Sequence, residues 1–138
     1  MNLQRFIDAQ NENYNIALEE IKNGKKRSHW IWYIFPQIDG LGFSSISKYY
    51  SIRDIAEARE YVNNELLYNH LIEITTALLN LHTNNIEDIM NEPDDMKVRS
   101  CMTLFSEVLP DNPLFIEVLN KYYDGIKDSE TIKILYKK

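Results

Sequence analysis

The sequence predicts an all-helical, single compact domain over residues 1–138, built from about seven or eight short helices. Three observations carry this. Apolar residues recur at spacings of three and four along most of the chain. Start and stop signals divide those stripes, among them Asn23–Gly24, Pro110, Asn112–Pro113 and Gly125. The one run with strand-like composition, Trp30–Phe35, finds no convincing partner strand, and a lone strand would leave its backbone groups unpaired.

Taken in order, Leu3, Phe6, Ile7, Tyr14, Ala17, Leu18 and Ile21 mark one face of a helix or of two short helices, closed by Asn23–Gly24. Lys25–Arg27 is a basic connector. Ser28 is placed to cap a helix through Trp30–Phe35 that stops near Pro36. Gln37–Gly42 is a loop, and Ile46–Tyr50 a helical turn. Ser51 with Asp54 has capping-box spacing before Ile55, Ala58, Tyr61 and Val62. Asn63 and Asn64 break that helix. Leu66–Leu81 is the clearest long helix, with Leu67, His70, Leu71, Ile74, Ala77 or Leu78 and Leu81 in core register. Ile86–Met90 is a short apolar turn. Pro93 opens a helix with Asp94 and Asp95 in its first turn and an inner stripe of Val98, Cys101 or Met102, Phe105 and Val108 or Leu109. Leu114–Tyr123 and, after a Ser129 cap, Ile132–Tyr136 complete the set.

A chain of 138 residues, 44% apolar with four Gly and four Pro, has globular composition and size enough for a core. The net charge of −6 argues against nucleic acid as a partner, although the sign is uneven. Residues 1–50 hold six Lys/Arg against five Asp/Glu, and residues 51–138 nine against sixteen, so an anion-seeking surface belongs near Lys25–Arg27. Cys101 is the only cysteine, which rules out an internal disulfide. With His29, His70 and His82 sharing no ligand spacing, the expectation is a protein without metal or other cofactor. Met1–Gln10 is polar with no apolar segment behind it, and no run is long enough to span a membrane. The expected location is therefore the cytoplasm, with no membrane partner.

The segment Ser28–Gly42, SHWIWYIFPQIDGLG, holds both tryptophans and two of the four glycines, and its apolar run is expected at the centre of the core. His29 stands beside a helix start, the basic run and two tryptophans, where an imidazole serves as donor or general base, or simply bonds nearby backbone. Trp30 and Trp32 offer flat surfaces for stacking, or plain core volume. Cys101, on a helix stripe without a basic neighbour, reads as a buried inert thiol rather than a nucleophile.

The chain also resembles a known family. The likeness runs through Arg5–Phe6 with Ala9–Gln10, Gly24–Lys25, the whole of Ser28–Gly42, Tyr50, Glu57–Ala58, Asp94–Lys97, Ser100–Phe105, and Asp128 with Thr131. It is similar to small, mainly bacterial proteins of unknown function, some of them mislabelled calpastatin. That resemblance implies an all-helical single domain and supplies no catalytic residues. Ile31 and Tyr33 stand where such proteins usually carry Met and Phe, and Cys101 where many carry Ser, which argues against an essential cysteine.

Two functional readings follow. His29, Gln37, Asp94, Lys97, Ser100 and Thr103 are more polar than packing requires. They form either a closed network holding loop 36–42 against the helix that starts near Pro93, or the wall of a pocket. The pocket reading assigns His29, Trp30, Gln37, Lys97 and Ser100 to a small polar or phosphate-bearing, anionic molecule. The alternative is a non-catalytic protein-interaction module that meets a protein partner through an exposed aromatic patch near Trp30–Phe35.

Overall fold

The structure is a computed structural model that describes residues 3–137. The stripe from Leu3 to Ile21 folds as one helix, α1 (Gln4–Lys22), which buries Phe6, Gln10, Tyr14, Ala17 and Ile21. Gly24 follows with φ of +75°, the left-handed conformation that lets the chain turn off the helix end. The aromatic run is helical only over α2 (Ile31–Ile34), because Phe35 leaves helical dihedrals ahead of Pro36. Trp30 occupies the position before this helix and caps it with no side-chain bond, so Ser28 is not the cap. Trp30, Ile31, Tyr33, Ile34 and Phe35 are buried, and the aromatic run therefore forms core rather than an exposed patch.

Six further helices and one 3-10 turn complete the described chain. α3 (Ser45–Tyr49) is capped by Ser44. α4 (Ile55–Asn63) is capped by Asp54 and not by Ser51, whose hydroxyl is engaged by Asp39 and the Lys48 carbonyl. α5 (Glu65–Leu79) is capped by Asn64, the residue that also ends α4. A 3-10 turn at Ile86–Asp88 leads into α6 (Asp94–Val108). α7 (Leu114–Tyr123) starts with the Leu114 amide bonded to Asn112, and Asp124 and Gly125 at positive φ close it. α8 (Ser129–Leu135) is capped by Asp128 rather than Ser129; the Asp128 carboxylate accepts both the amide and the hydroxyl of Thr131.

These eight helices form a single compact all-helical domain, and the described residues contain no strand beyond one bridge between Ile38 and Ile52. α6 is the central element, packed against α2, α4, α7 and α8. It buries Asp95, Val98 and every residue from Ser100 to Ser106, so over 100–106 it is enclosed on all sides where a one-sided stripe is expected from sequence. Ser100, Thr103 and Ser106 are tolerated there because each hydroxyl donates to a carbonyl one turn back, at 3.1, 2.8 and 2.7 Å.

A buried polar hub joins α1, α2, α4 and α5. The Gln10 amide donates to the Tyr33 carbonyl and the Tyr61 hydroxyl, which leaves its oxygen to face His70 Nδ1 at 2.8 Å. The His70 ring lies flat on Tyr14, centroids 3.6 Å apart. At the other end of α5, Tyr122 donates to the Leu78 carbonyl and Lys121 to those of Leu79 and Leu81, which ties the open carbonyls of that helix to α7.

Candidate functional site

The connector between α1 and α2 is held by one carboxylate. Glu20, near the end of α1, accepts the amides of Arg27 and Ser28 at 2.7 and 2.9 Å, the Ser28 hydroxyl at 2.6 Å and the Trp30 indole N–H at 2.9 Å. Burial pushes the Glu20 carboxyl up, but the Ser28, Arg27 and Trp30 donors outweigh it and hold the pKa at about 2. The group is therefore a permanent anion clamping a basic segment.

Lys26 reaches from this segment to the head of α6. Its ammonium lies 2.8 Å from the Asp94 carboxylate, 2.5 Å from the Ser28 carbonyl and 4.9 Å from the centre of the Trp30 ring. Its amide also donates to the Ile89 carbonyl at 2.8 Å. These contacts set Lys26–His29 opposite Met90–Asp94, and between them lies an open cleft of ≈ 300 Å³. Arg27 and His29 are exposed on one wall, Asn91 and Glu92 on the other. Asp94 is neutralised by Lys26, and the Asp95 carboxylate accepts the Met96 amide at 2.8 Å, so Arg27 is the cation left on the cleft, with Glu92 opposing it.

The five residues singled out from sequence do not converge on one point. His29 lines this cleft. Trp30, 1% exposed, lies behind it with its N–H spent on Glu20. Lys97 projects elsewhere, its ammonium 3.5 Å from the Ser47 hydroxyl. Gln37 belongs to that second cluster, because a Cβ at Gly42 would come within 3.4 Å of its amide nitrogen and 2.5 Å of the Ser47 Cβ. Ser100 is buried with its hydroxyl returned to the Met96 carbonyl. Glu20 carries the geometry of the site and was not distinguishable in sequence from the other carboxylates along α1. The only local hint is its placement one residue before Ile21, on the flank of the buried face.

Cys101 is fully buried and its thiol pKa is pushed well up, which removes the thiolate a nucleophile needs. Among the described residues no group of three or more His, Cys, Asp or Glu is placed to hold a metal ion, and no helix is long and apolar enough to cross a membrane.

The chain belongs to the family described as protein of unknown function (DUF1810), whose profile matches residues 1–135. Among solved structures it is similar to the crystal structure of the conserved hypothetical protein Rv1873 from Mycobacterium tuberculosis. The TM-score is 0.95 at 39% identity, over 99% of this chain and 97% of that one. No curated protein matches. The neighbour shares the fold, and neither it nor the family brings an activity with it.

Proposed function

We propose, on the premise of a family without an assigned activity, that the chain is a binding protein for a small polar molecule carrying one anionic group, phosphate or carboxylate. The site is the cleft between Lys26–His29 and Met90–Asp94. One observation carries the reading: the Glu20 carboxylate fixes the backbone of the basic segment so that Arg27 and His29 are held across a cleft from the head of α6. A pre-ordered wall spares the ligand the entropy of organising it. A guanidinium and an imidazole are donors suited to an oxyanion, and Glu92 and Asn91 supply acceptors for hydroxyl or amino groups on the rest of the molecule.

Inorganic phosphate is the simplest probe. In a ¹H–¹⁵N titration it should shift amides of residues 26–29 and 91–95 saturably, with an affinity on the order of millimolar. Arg27→Ala and His29→Ala should each weaken that binding by about 5-fold or more without moving the melting temperature, since both side chains are exposed. Lys97→Ala should leave it unchanged. Shifts scattered over the surface, or equal binding by all variants, would remove this assignment.

A second reading has one observation in its favour. Phe43 is 87% exposed and Tyr49 60%, so an apolar surface exists at residues 43–49 rather than at Trp30–Phe35. An interaction module would show concentration-dependent association that Phe43→Asp abolishes while phosphate binding persists.

A further inference from the structure

Toward the other end of α1 from the Glu20 clamp, we propose a second, independent site: the cleft between α1 and Tyr33, Tyr49 and Tyr50 binds an alkylammonium cation. The cleft has a volume of ≈ 300 Å³. Tyr33 and Tyr50 lie 5.1 Å apart between ring centroids at 56°, and Tyr49 stands at 83° to Tyr50 at 4.8 Å. Tyr50 thus meets Tyr33 at a tilt and Tyr49 nearly at right angles, which forms a corner, and aromatic faces carry the negative side of the ring quadrupole. Asp8 and Glu12, one turn apart on α1, line the same cleft.

The charge balance decides the sign of the ligand. Arg5 also lines the cleft, but its guanidinium is committed elsewhere: it bonds Glu57 at 2.9 Å and the carbonyls of Tyr49 and Ser51 at 2.8 Å each, and it covers the Phe6 ring at 4.4 Å. Glu57 is fully buried and cancels that charge. Asp8 accepts the neutral Gln4 amide at 2.8 Å, and neither Asp8 nor Glu12 forms an ion pair among the described residues. Two uncompensated carboxylates beside three rings leave a cation hole. The Tyr50 phenol is held above its usual pKa by burial first, then by Tyr49, Glu12 and Asp8 against an opposing Arg5, and the Tyr33 phenol by burial, then by Tyr50 and Glu12 against a bond with Asn13.

The ring faces choose the kind of cation. A small hard ion such as Mg²⁺ or Ca²⁺ needs oxygen ligands to replace its hydration shell, and aromatic faces cannot supply them. A nitrogen carrying methyl or methylene groups is weakly hydrated, spreads its charge over C–H surface and packs against rings. Tyr49, 60% exposed, forms the outer wall and can close on such a group without disturbing the core.

Choline and its uncharged isostere 3,3-dimethylbutan-1-ol separate this from apolar binding of the same shape. In ¹H–¹⁵N titrations of the full chain, choline should shift amides around Ala9, Asn13, Tyr49 and Tyr50, and the isostere should bind about 5- to 10-fold more weakly. Tyr49→Leu and Glu12→Gln, both at exposed positions, should each lower choline affinity by about 3-fold or more with the circular dichroism spectrum retained. Phosphate binding at residues 26–29 should be untouched by either variant, so the two sites stand or fall separately. Equal binding of choline and the isostere, choline shifts outside this cleft, no saturable shift at tens of millimolar choline, or full affinity in Glu12→Gln would each overturn the proposal.

Discussion

Replacing Glu20 by Ala tests whether one carboxylate organises the connector. Of the four donors it holds, the Arg27 amide reaches water easily, while the Trp30 indole N–H lies on a residue only 1% exposed. Leaving that buried donor unpaired costs about 1–3 kcal/mol, and loss of the bonds to the amides and hydroxyl adds roughly 1 kcal/mol after exchange with water. The sum is about 2–4 kcal/mol. For a chain of this length that lowers the melting temperature by about 7–14 °C. The discriminating measurement is a double-mutant cycle with Trp30→Phe, followed by urea unfolding at 222 nm. Phenylalanine has no N–H to orphan, so Glu20→Ala should cost about 1–2 kcal/mol less in that background. If the two substitutions add within about 0.5 kcal/mol, the indole bond is not what makes Glu20 matter.

The same residue sets an acid limb. Its folded pKa of about 2 lies below the ordinary carboxylate value of 4.5, so its stabilisation is fully present above pH 4.5 and is lost as pH falls towards 2. The arithmetic ceiling of about 3 kcal/mol is reduced to roughly 1–2 kcal/mol by solvent around a half-buried group. The stability difference between wild type and Glu20→Gln should therefore shrink as pH is lowered through that window. A difference independent of pH from 5 to 2 would refute the charge as the cause.

Two further predictions concern the core. His70 is held neutral in the fold, its pKa lowered by burial with partial opposition from Glu73, so the unfolded chain binds the extra proton. Stability should then be complete above pH 6.5 and fall as pH drops below it, a slope that His70→Gln flattens; NMR titration of the His70 ring should find its pKa below 6.5. Thr75 is fully buried with a hydroxyl that has no hydrogen-bond partner among the described residues. Thr75→Val should raise stability by about 0.5–1 kcal/mol in urea unfolding, and a loss of that size would show that the hydroxyl is satisfied in solution.

What the sequence made legible divides by the range of the interaction concerned. The stripe of α1, the Asn63–Asn64 break, Pro110 and the Asn112–Pro113 start are all local features, and each stands where spacing and cap chemistry put it. Ser51 failed as a cap because Asp39 draws its hydroxyl across the Ile38–Ile52 bridge, a contact no short window contains. Ser129 lost to its neighbour Asp128, whose carboxylate serves two donors of Thr131 at once. α6 looked one-sided because Ser100, Thr103 and Ser106 count as polar. Back-bonding to their own helix removes that polarity and lets the whole circumference be buried over 100–106.

The candidate site follows the same division. The basic run beside His29 and the helix opening at Pro93 were both visible, and the structure faces them across one cleft. Their juxtaposition depends on Lys26 meeting Asp94 and on Glu20 meeting Trp30, pairs whose members look like ordinary surface charges and an ordinary core indole. Lys97 illustrates the opposite error. It shares a helix with Asp94, three residues on, yet its ammonium meets Ser47 beside the Gly42 loop instead of His29. The aromatic corner on α1 is further still from sequence view. Asp8 and Glu12 are visible as an i, i+4 pair, but only the fold carries Tyr33 and Tyr49–Tyr50, from two separate segments, to their side of the helix. Local rules thus supply the helices and the charged groups, whereas the partners that decide which charges are spent and which are left for a ligand come from contacts distant in sequence.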